Sequence, residues 1–255
     1  MKRIVCAFAF SFLLLFAASA FASPIACPTS GSGPGGTPSY ADLMSTNAGG
    51  GCLIADKVFS DFIFLSISTG GATPLTSNQV NYTMDNLVPS VLGTVLVGFE
   101  FGLSLSAGPL QTNTVTIGYN VAQINGIADI TSVHNQMVGV GLNGGVASVA
   151  ESYCLGAFNN VGCQAGTPQT LVTSNPGSSH SDAFFAGVNK LSILANLSAS
   201  GFDGTANISG VRSAIDETPT SVPEPSSLSC LLGSAGLFGV VWLRRRSSAA
   251  PIRRS

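Results

Sequence analysis

The sequence predicts an all-β ectodomain, an antiparallel β-sandwich or jelly roll, preceded by a cleaved signal peptide and followed by one transmembrane helix. Three observations predict it. Between two apolar ends, short apolar runs of period two recur, separated by Gly, Pro and Asn turns. Charged residues make up only 9% of the chain, so the Glu, Lys, Arg and Gln that favour surface helices are scarce, and Gly, Ser, Thr and Asn take the polar positions. Each apolar end carries flanking charges of the kind that direct export and fix membrane orientation.

At the N-terminus, Lys2 and Arg3 precede an apolar block from Ile4 to Phe21 that closes on Ala20-Phe21-Ala22. Charged region, apolar core and small-x-small site are the parts of a secretory signal peptide spanning residues 1–22. The general secretion machinery and signal peptidase are therefore expected partners, with Ala20 and Ala22 at the cut and Ser23 as the new N-terminus. A lipoprotein reading through Cys27 is weaker, because Pro24 stands where an aliphatic residue is expected and the apolar core lies too far away.

Residues 23–221 are long enough for one domain with a substantial core. Pro28 to Ser39 is a loop by composition, after which Ser39 can cap a short helix from Tyr40 to about Asn47, stopped by Gly49-Gly50-Gly51. From Val58 to Ser68, Phe59, Ile63, Leu65 and Ile67 fall on one face of an extended chain interrupted by Asp61, with Phe62 and Phe64 opposite. Gln79 to Met84 alternates, with Val80, Tyr82 and Met84 inward. Val91 to Phe101 is nearly continuous apolar and fits a strand covered on both faces. Thr112 to Val121 alternates again, Val115, Ile117, Tyr119 and Val121 against Thr114, Thr116 and Asn120. Further strands are expected near Ile124–Ile130, Met137–Leu142, Val146–Tyr153, Lys190–Leu197 and Thr205–Ile215, punctuated by Asn143-Gly144-Gly145 and Asn175-Pro176-Gly177. About nine strands with no helical pattern between them indicate antiparallel sheets. The pattern leaves sandwich and barrel both open.

The region 23–222 carries Lys57, Lys190 and Arg212 against eleven acidic residues, a net charge of −8. That balance argues against nucleic acid and anionic membrane surfaces, both of which require clustered Lys and Arg. Of six cysteines, Cys6 lies in the signal and Cys230 in the final apolar segment. Cys27, Cys52, Cys154 and Cys163 remain, an even number in an exported chain, which reads as disulfides. Pairing Cys27 with Cys52 and Cys154 with Cys163 closes the two local loops. Zinc is the alternative, but neither pair has C-x-x-C spacing and no His is near in sequence.

No cofactor, metal or catalytic site is expected. His134 and His180 stand apart in polar sequence and read as exposed loop residues, and no Gly-x-Ser-x-Gly or His-Glu-x-x-His pattern occurs. A glycosidase pair would have to be made of single carboxylates such as Glu100 and Glu151, and a Ca²⁺ site of Asp56, Asp61 or Asp203, with no EF-hand loop to support it. Thr112, Thr114 and Thr116 would project from one strand face about 6.6 Å apart, which without an internal repeat reads as the polar outer face of a half-buried strand.

The C-terminal end begins at Val222-Pro223-Glu224-Pro225, whose prolines hold the following helix to residues 226–243. That apolar run sits at the short end of what crosses a bilayer, about 20 residues, and includes Gly233, Gly236 and Gly239. Arg244, Arg245 and Arg246 then mark the cytoplasmic side, with a tail at 247–255.

Val-Pro-Glu-Pro-Ser, a Gly-rich apolar span and an Arg cluster, over residues 222–246, resemble the PEP-CTERM sorting signal, also catalogued as the ice-binding protein C-terminal domain. The resemblance implies a bacterial exported protein, anchored transiently in the inner membrane, then cut near Pro223-Glu224-Pro225 by an exosortase-type membrane protease. It further implies release to the cell surface or extracellular matrix alongside biofilm polysaccharide, itself a possible ligand. Gly51-Cys52, Asp56-Lys57-Val58-Phe59-Ser60, Gly118-Tyr119, Val149-Ala150-Glu151-Ser152-Tyr153-Cys154 and Lys190-Leu191-Ser192-Ile193 resemble, in this order, a group of PEP-CTERM ectodomains to which no activity attaches. The expectation is a non-enzymatic surface or matrix protein. A polysaccharide-binding module and a secreted hydrolase are the alternatives.

Overall fold

The structure, a computed structural model, describes residues 24–87, 95–124, 128–159, 162–163 and 167–219. The expected signal peptide with Ala20 and Ala22 lies outside them. So do Val222-Pro223-Glu224-Pro225, the 226–243 helix, Arg244–Arg246 and the tail. Among the described residues no helix is long and apolar enough to cross a membrane. The chain divides into two units at Thr218/Pro219, and the β-sheets belong to the first.

Two β-sheets form a sandwich. In chain order the strands are β1 (Ile25–Ala26), β2 (Cys52–Ile54), β3 (Lys57–Thr69), β4 (Asn81–Leu87), β5 (Val95–Ala107), β6 (Thr112–Gln123), β7 (Ala128–Leu142) and β8 (Val146–Leu155). There follow β9 (Phe158–Asn159), β10 (Gly162–Cys163), β11 (Gln169–Asn175), β12 (His180–Val188), β13 (Lys190–Ser200) and β14 (Thr205–Pro219). One sheet has seven strands, β1-β2-β3-β6-β13-β8-β11, the other five, β12-β7-β14-β5-β4, and β9 pairs with β10 apart from both. The chain crosses between sheets at most connections, which buries the inward face of every long strand.

The packed interior follows from alternation. Val115, Ile117, Tyr119 and Val121 of β6 point inward, as do Val97, Phe99, Phe101, Leu103 and Leu105 of β5, all with at most 8% exposure. Phe99 meets Phe59, Tyr82 and Tyr119 edge-on from 4.9 to 5.6 Å. Each such side chain contributes roughly 1.5–3 kcal/mol by leaving water. β5 corrects the expectation of a strand covered on both faces, because Glu100, Gly102, Ser104 and Ser106 alternate outward into solvent. The apolar run misleads because part of it precedes the described strand and Gly98 packs flat against Ala214.

β3 departs from its expected face pattern for a local reason. Asp61 takes a left-handed backbone (φ 54°), and the ladder with β6 slips between Ser60 and Ile63. This bulge inverts the in-out parity. Phe59 and Phe62 are both buried, while Ile63, Leu65 and Ile67 are more than half exposed. The separate strands expected at Ile124–Ile130 and Met137–Leu142 meet in the 15 residues of β7. β11 and β12 were not expected, since polar residues interrupt their alternation.

Helix α1 (Tyr40–Ser45) begins after Ser39, as the cap predicts, but ends sooner and continues as a 3₁₀ turn at Thr46–Gly49 closed by left-handed Gly50. Its Asp42 Oδ2 accepts the Ser39 and Ser32 backbone N–H groups at 2.8 and 2.9 Å. Against partial desolvation, these bonds hold the Asp42 carboxyl below its ordinary value. The Tyr40 hydroxyl donates to the Gly118 carbonyl at 2.7 Å and accepts the Gly118 N–H at 3.2 Å. A Cβ on Gly118 would meet Leu194 at 2.9 Å and Ile63 at 3.0 Å, which accounts for glycine before Tyr119.

The disulfides are Cys27–Cys52, which clips the N-terminal segment to β2, and Cys154–Cys163, which ties β8 to the β9–β10 hairpin. Both are the local pairings expected. A loop-entropy account assigns each roughly 2–4 kcal/mol.

Candidate functional site

Five strands present one outward face, and their registers determine which side chains share it. Thr83 of β4 lies opposite Glu100 of β5, and Glu100 lies opposite Arg212 of β14. Gly98, Gly102 and Gly210 keep the floor of the face low between these polar positions. At its β4 edge, Glu100 and Thr83 enter a surface groove of 530 Å³, lined also by Pro28, Thr37, Pro38 and Met84. Burial of the neighbouring Tyr82 hydroxyl, with Asp42 nearby, pushes its ionisation well above the ordinary range, so it stays a neutral donor, bonded to the Pro28 carbonyl at 2.6 Å.

At the opposite edge the same face carries both histidines. His134 stands in mid-strand on β7 and His180 opens β12, which corrects their reading as isolated loop residues. Their register places Asp182 opposite His134. Asp182 Oδ1 lies 2.7 Å from His134 Nδ1 and 3.0 Å from His180 Nε2. On the other side of the ring, His134 Nε2 lies 2.9 Å from Asp216 Oδ2 and 2.9 Å from Ser132 Oγ. The Phe184 ring meets the His134 ring edge-on at 6.0 Å while remaining 75% exposed. Sequence reasoning missed this grouping because its members come from three strands far apart in the chain. The one local signal was His180-Ser181-Asp182, which places an imidazole and a carboxylate on the same strand face.

Other sequence candidates do not assemble. Glu100 faces outward, whereas Glu151 is fully buried inside the sandwich, so the sheet separates the suggested glycosidase pair. Burial raises the Glu151 carboxyl to about 8, opposed by the Ser213 hydroxyl beside it, and the same Ser213 hydroxyl bonds Tyr119 at 2.7 Å. Among the calcium candidates, Asp56 accepts two hydrogen bonds from Lys57 at 2.9 Å and Asp61 accepts one from Asn120 at 2.6 Å. Asp203 lies in the turn before β14, at the other end of the seven-stranded sheet from Asp56. Thr112, Thr114 and Thr116 do share the outer face of β6, half-buried, with Thr112 bonded to Ser200 at 2.8 Å. That is the polar outer face expected of them.

Comparison with protein families matches residues 221–246 to the PEP-CTERM protein-sorting motif, which marks an exported chain sorted by an exosortase. Among curated proteins no relative matches the chain. Similar solved structures include TmCBM61 in complex with β-1,4-galactotriose, at 9% identity and TM-score 0.30, covering 62% of this chain and 88% of that one. The enzymatically active domain of bacteriophage CBA120 tailspike protein 4 matches at 13% identity and TM-score 0.28, over 61% of this chain and 19% of that one. TmCBM27, a carbohydrate-binding module that recognises mannan, matches at 12% identity and TM-score 0.19, over 63% and 99%. At these scores the sandwich assignment rests on the strand pairing itself.

Proposed function

We propose that this chain is a bacterial surface or extracellular-matrix protein whose β-sandwich, once released from a temporary inner-membrane tether, serves as a non-enzymatic binding module for extracellular polysaccharide. The observation that carries the reading is the sorting motif at residues 221–246. Residues 1–22 would direct export and leave at signal peptidase. Residues 226–243 would hold the chain with Arg244–Arg246 in the cytoplasm, and an exosortase-type protease would cut near Pro223-Glu224-Pro225. The chemistry at that motif belongs to the protease, and this chain is its substrate. Two buried disulfide-bonded cysteines near the N-terminus suit an oxidising destination.

Intact mass of the secreted form tests the processing. In cells carrying an exosortase the mass should correspond to a chain beginning at Ser23 and ending near Glu224. Retention of residues 226–255 in those cells would overturn it.

Polysaccharide as ligand is supported by the outer face of the five-stranded sheet. Sugars offer hydroxyls to planar donors and acceptors and C–H faces to aromatic rings. Glu100, Arg212, Asp182 and the exposed Phe184 supply such groups along one surface. The separation of Glu100 from Glu151 supports binding over hydrolysis. Pull-down with purified matrix polysaccharide should retain the protein and lose most of it in Phe184→Ala. Retention no better than a control protein would remove the ligand assignment while leaving the sorting assignment standing.

A further inference from the structure

We propose that His134, His180 and Asp182 form a site for one divalent transition-metal ion of the zinc type, a reading that stands apart from the sorting function. One ring nitrogen of His134, one of His180 and a carboxylate oxygen of Asp182 all lie within 4.8 Å of one another. Ligand atoms around a tetrahedral zinc, at about 2.0–2.2 Å from the metal, are separated by about 3.3 Å. Asp182 Oδ1 already stands at 2.7 and 3.0 Å from the two imidazole nitrogens, so small side-chain rotations admit the ion.

The surroundings of His134 make the stronger argument. A ligating histidine ordinarily gives its second ring N–H to a carboxylate, which fixes the tautomer and orients the ring. Here Asp216 Oδ2 sits at 2.9 Å from Nε2, and the ring is further held by Ser132. With the Nε2 proton donated to Asp216, Nδ1 presents a lone pair toward the Asp182 carboxylate. That contact is repulsive unless a second proton or a cation lies between them. A dication satisfies both donors and balances the charges of Asp182 and Asp216. Two nitrogens and one oxygen suit zinc, nickel or copper and not calcium, which takes six or more oxygens. The exposure of His180 (59%) leaves the fourth coordination position open to water.

The full chain, purified in detergent without a polyhistidine tag and stripped with chelator, is titrated with zinc chloride alone by calorimetry. One ion per chain is expected, with no binding of calcium chloride at the same concentrations. His134→Ala and His180→Ala should each weaken binding at least tenfold. Asp216→Asn, which removes no ligand, should weaken it by roughly 10–100-fold. Since His180 is exposed at a strand end, its alanine variant should keep the wild-type melting temperature, separating lost ligation from lost fold. Cobalt substitution adds a direct readout, the visible absorption of a four-coordinate site of two nitrogens, one carboxylate oxygen and one water, absent in His180→Ala. No binding to the wild type, or binding unchanged in both histidine variants, would overturn the site.

Discussion

Buried ionisable residues in the sandwich are few enough to be treated one at a time. Glu151 is fully enclosed, and burial raises its carboxyl to about 8. The folded state therefore holds a proton that the unfolded chain releases near the ordinary value of about 4.3. Stability associated with Glu151 is fully present below that lower value. It declines by about 1.4 kcal/mol per pH unit until the folded group ionises near 8. Glu151→Gln should thus resemble the wild type at pH 4 and become increasingly the more stable of the two toward pH 8. Urea unfolding at several pH values measures this, and parallel pH profiles for the two proteins would contradict it. Lys57 poses the complementary case. Its ammonium is fully buried, bonded to Asp56 at 2.9 Å and paired with Glu217 at 3.0 Å. Lys57→Ala leaves Glu217 facing the interior without its cation and should cost about 3–5 kcal/mol. Replacing both, Lys57→Met with Glu217→Leu, should recover most of that loss, because two apolar groups need no counter-charge. These roles explain why Asp56-Lys57 and Glu151 stand out in the sequence: their signal was legible, while their partners on β14, Glu217 and Ser213, lie far along the chain.

At the scale of elements, alternation made most of the sandwich legible, and it failed where the backbone leaves regular geometry. β6 reads correctly from Val115 to Val121 because nothing interrupts its period of two. β3 does not, because one residue, Asp61, moves every later side chain to the opposite face. A left-handed conformation costs most residues about 1–2 kcal/mol, and Asp and Asn tolerate it best. Asp61 also accepts a 2.6 Å hydrogen bond from Asn120. Asp61→Val should therefore destabilise by about 2–3 kcal/mol, the strain plus about 1 for the lost bond. Asp61→Asn should cost less than about 1 kcal/mol, since it keeps an acceptor oxygen and tolerates the conformation. Chemical denaturation midpoints decide it, and equal losses for the two variants would show that the bulge is not held by the residue at its corner. β12 was illegible for another reason. His180, Asp182 and Phe184 line an exposed face, so the hydrophobic contrast that marks a strand is weak there, and the histidine-aspartate grouping emerges only once β7 and β14 are laid beside it.

For the whole molecule, the two kinds of information in the sequence separate along the chain. The sorting motif is contiguous, at residues 221–246, and needs no tertiary structure to be read. The outer face of the five-stranded sheet is written in residues scattered from Thr83 to Asp216, and composition does not reveal it. β14 ends at Pro219, and the buried pair of Lys57 with Glu217 closes that last strand ahead of the sorting motif. Cleavage near Pro223-Glu224-Pro225 would thus leave every hydrogen bond and disulfide of the sandwich described above in place. A chain ending at Glu224 should unfold with the same midpoint as the full chain in matched detergent, within about 2 °C. The same chain ending at Asp216 removes Glu217, one of the two carboxylates that hold the buried Lys57 ammonium, together with the end of β14, so it should lose about 3–5 kcal/mol. At the scale of a 200-residue domain that lowers the melting temperature by roughly 6–20 °C. Differential scanning calorimetry of the three chains checks both halves. A large drop for the chain ending at Glu224 would mean that the segment removed by processing stabilises the domain, and release would then yield a weakened sandwich in place of an intact one.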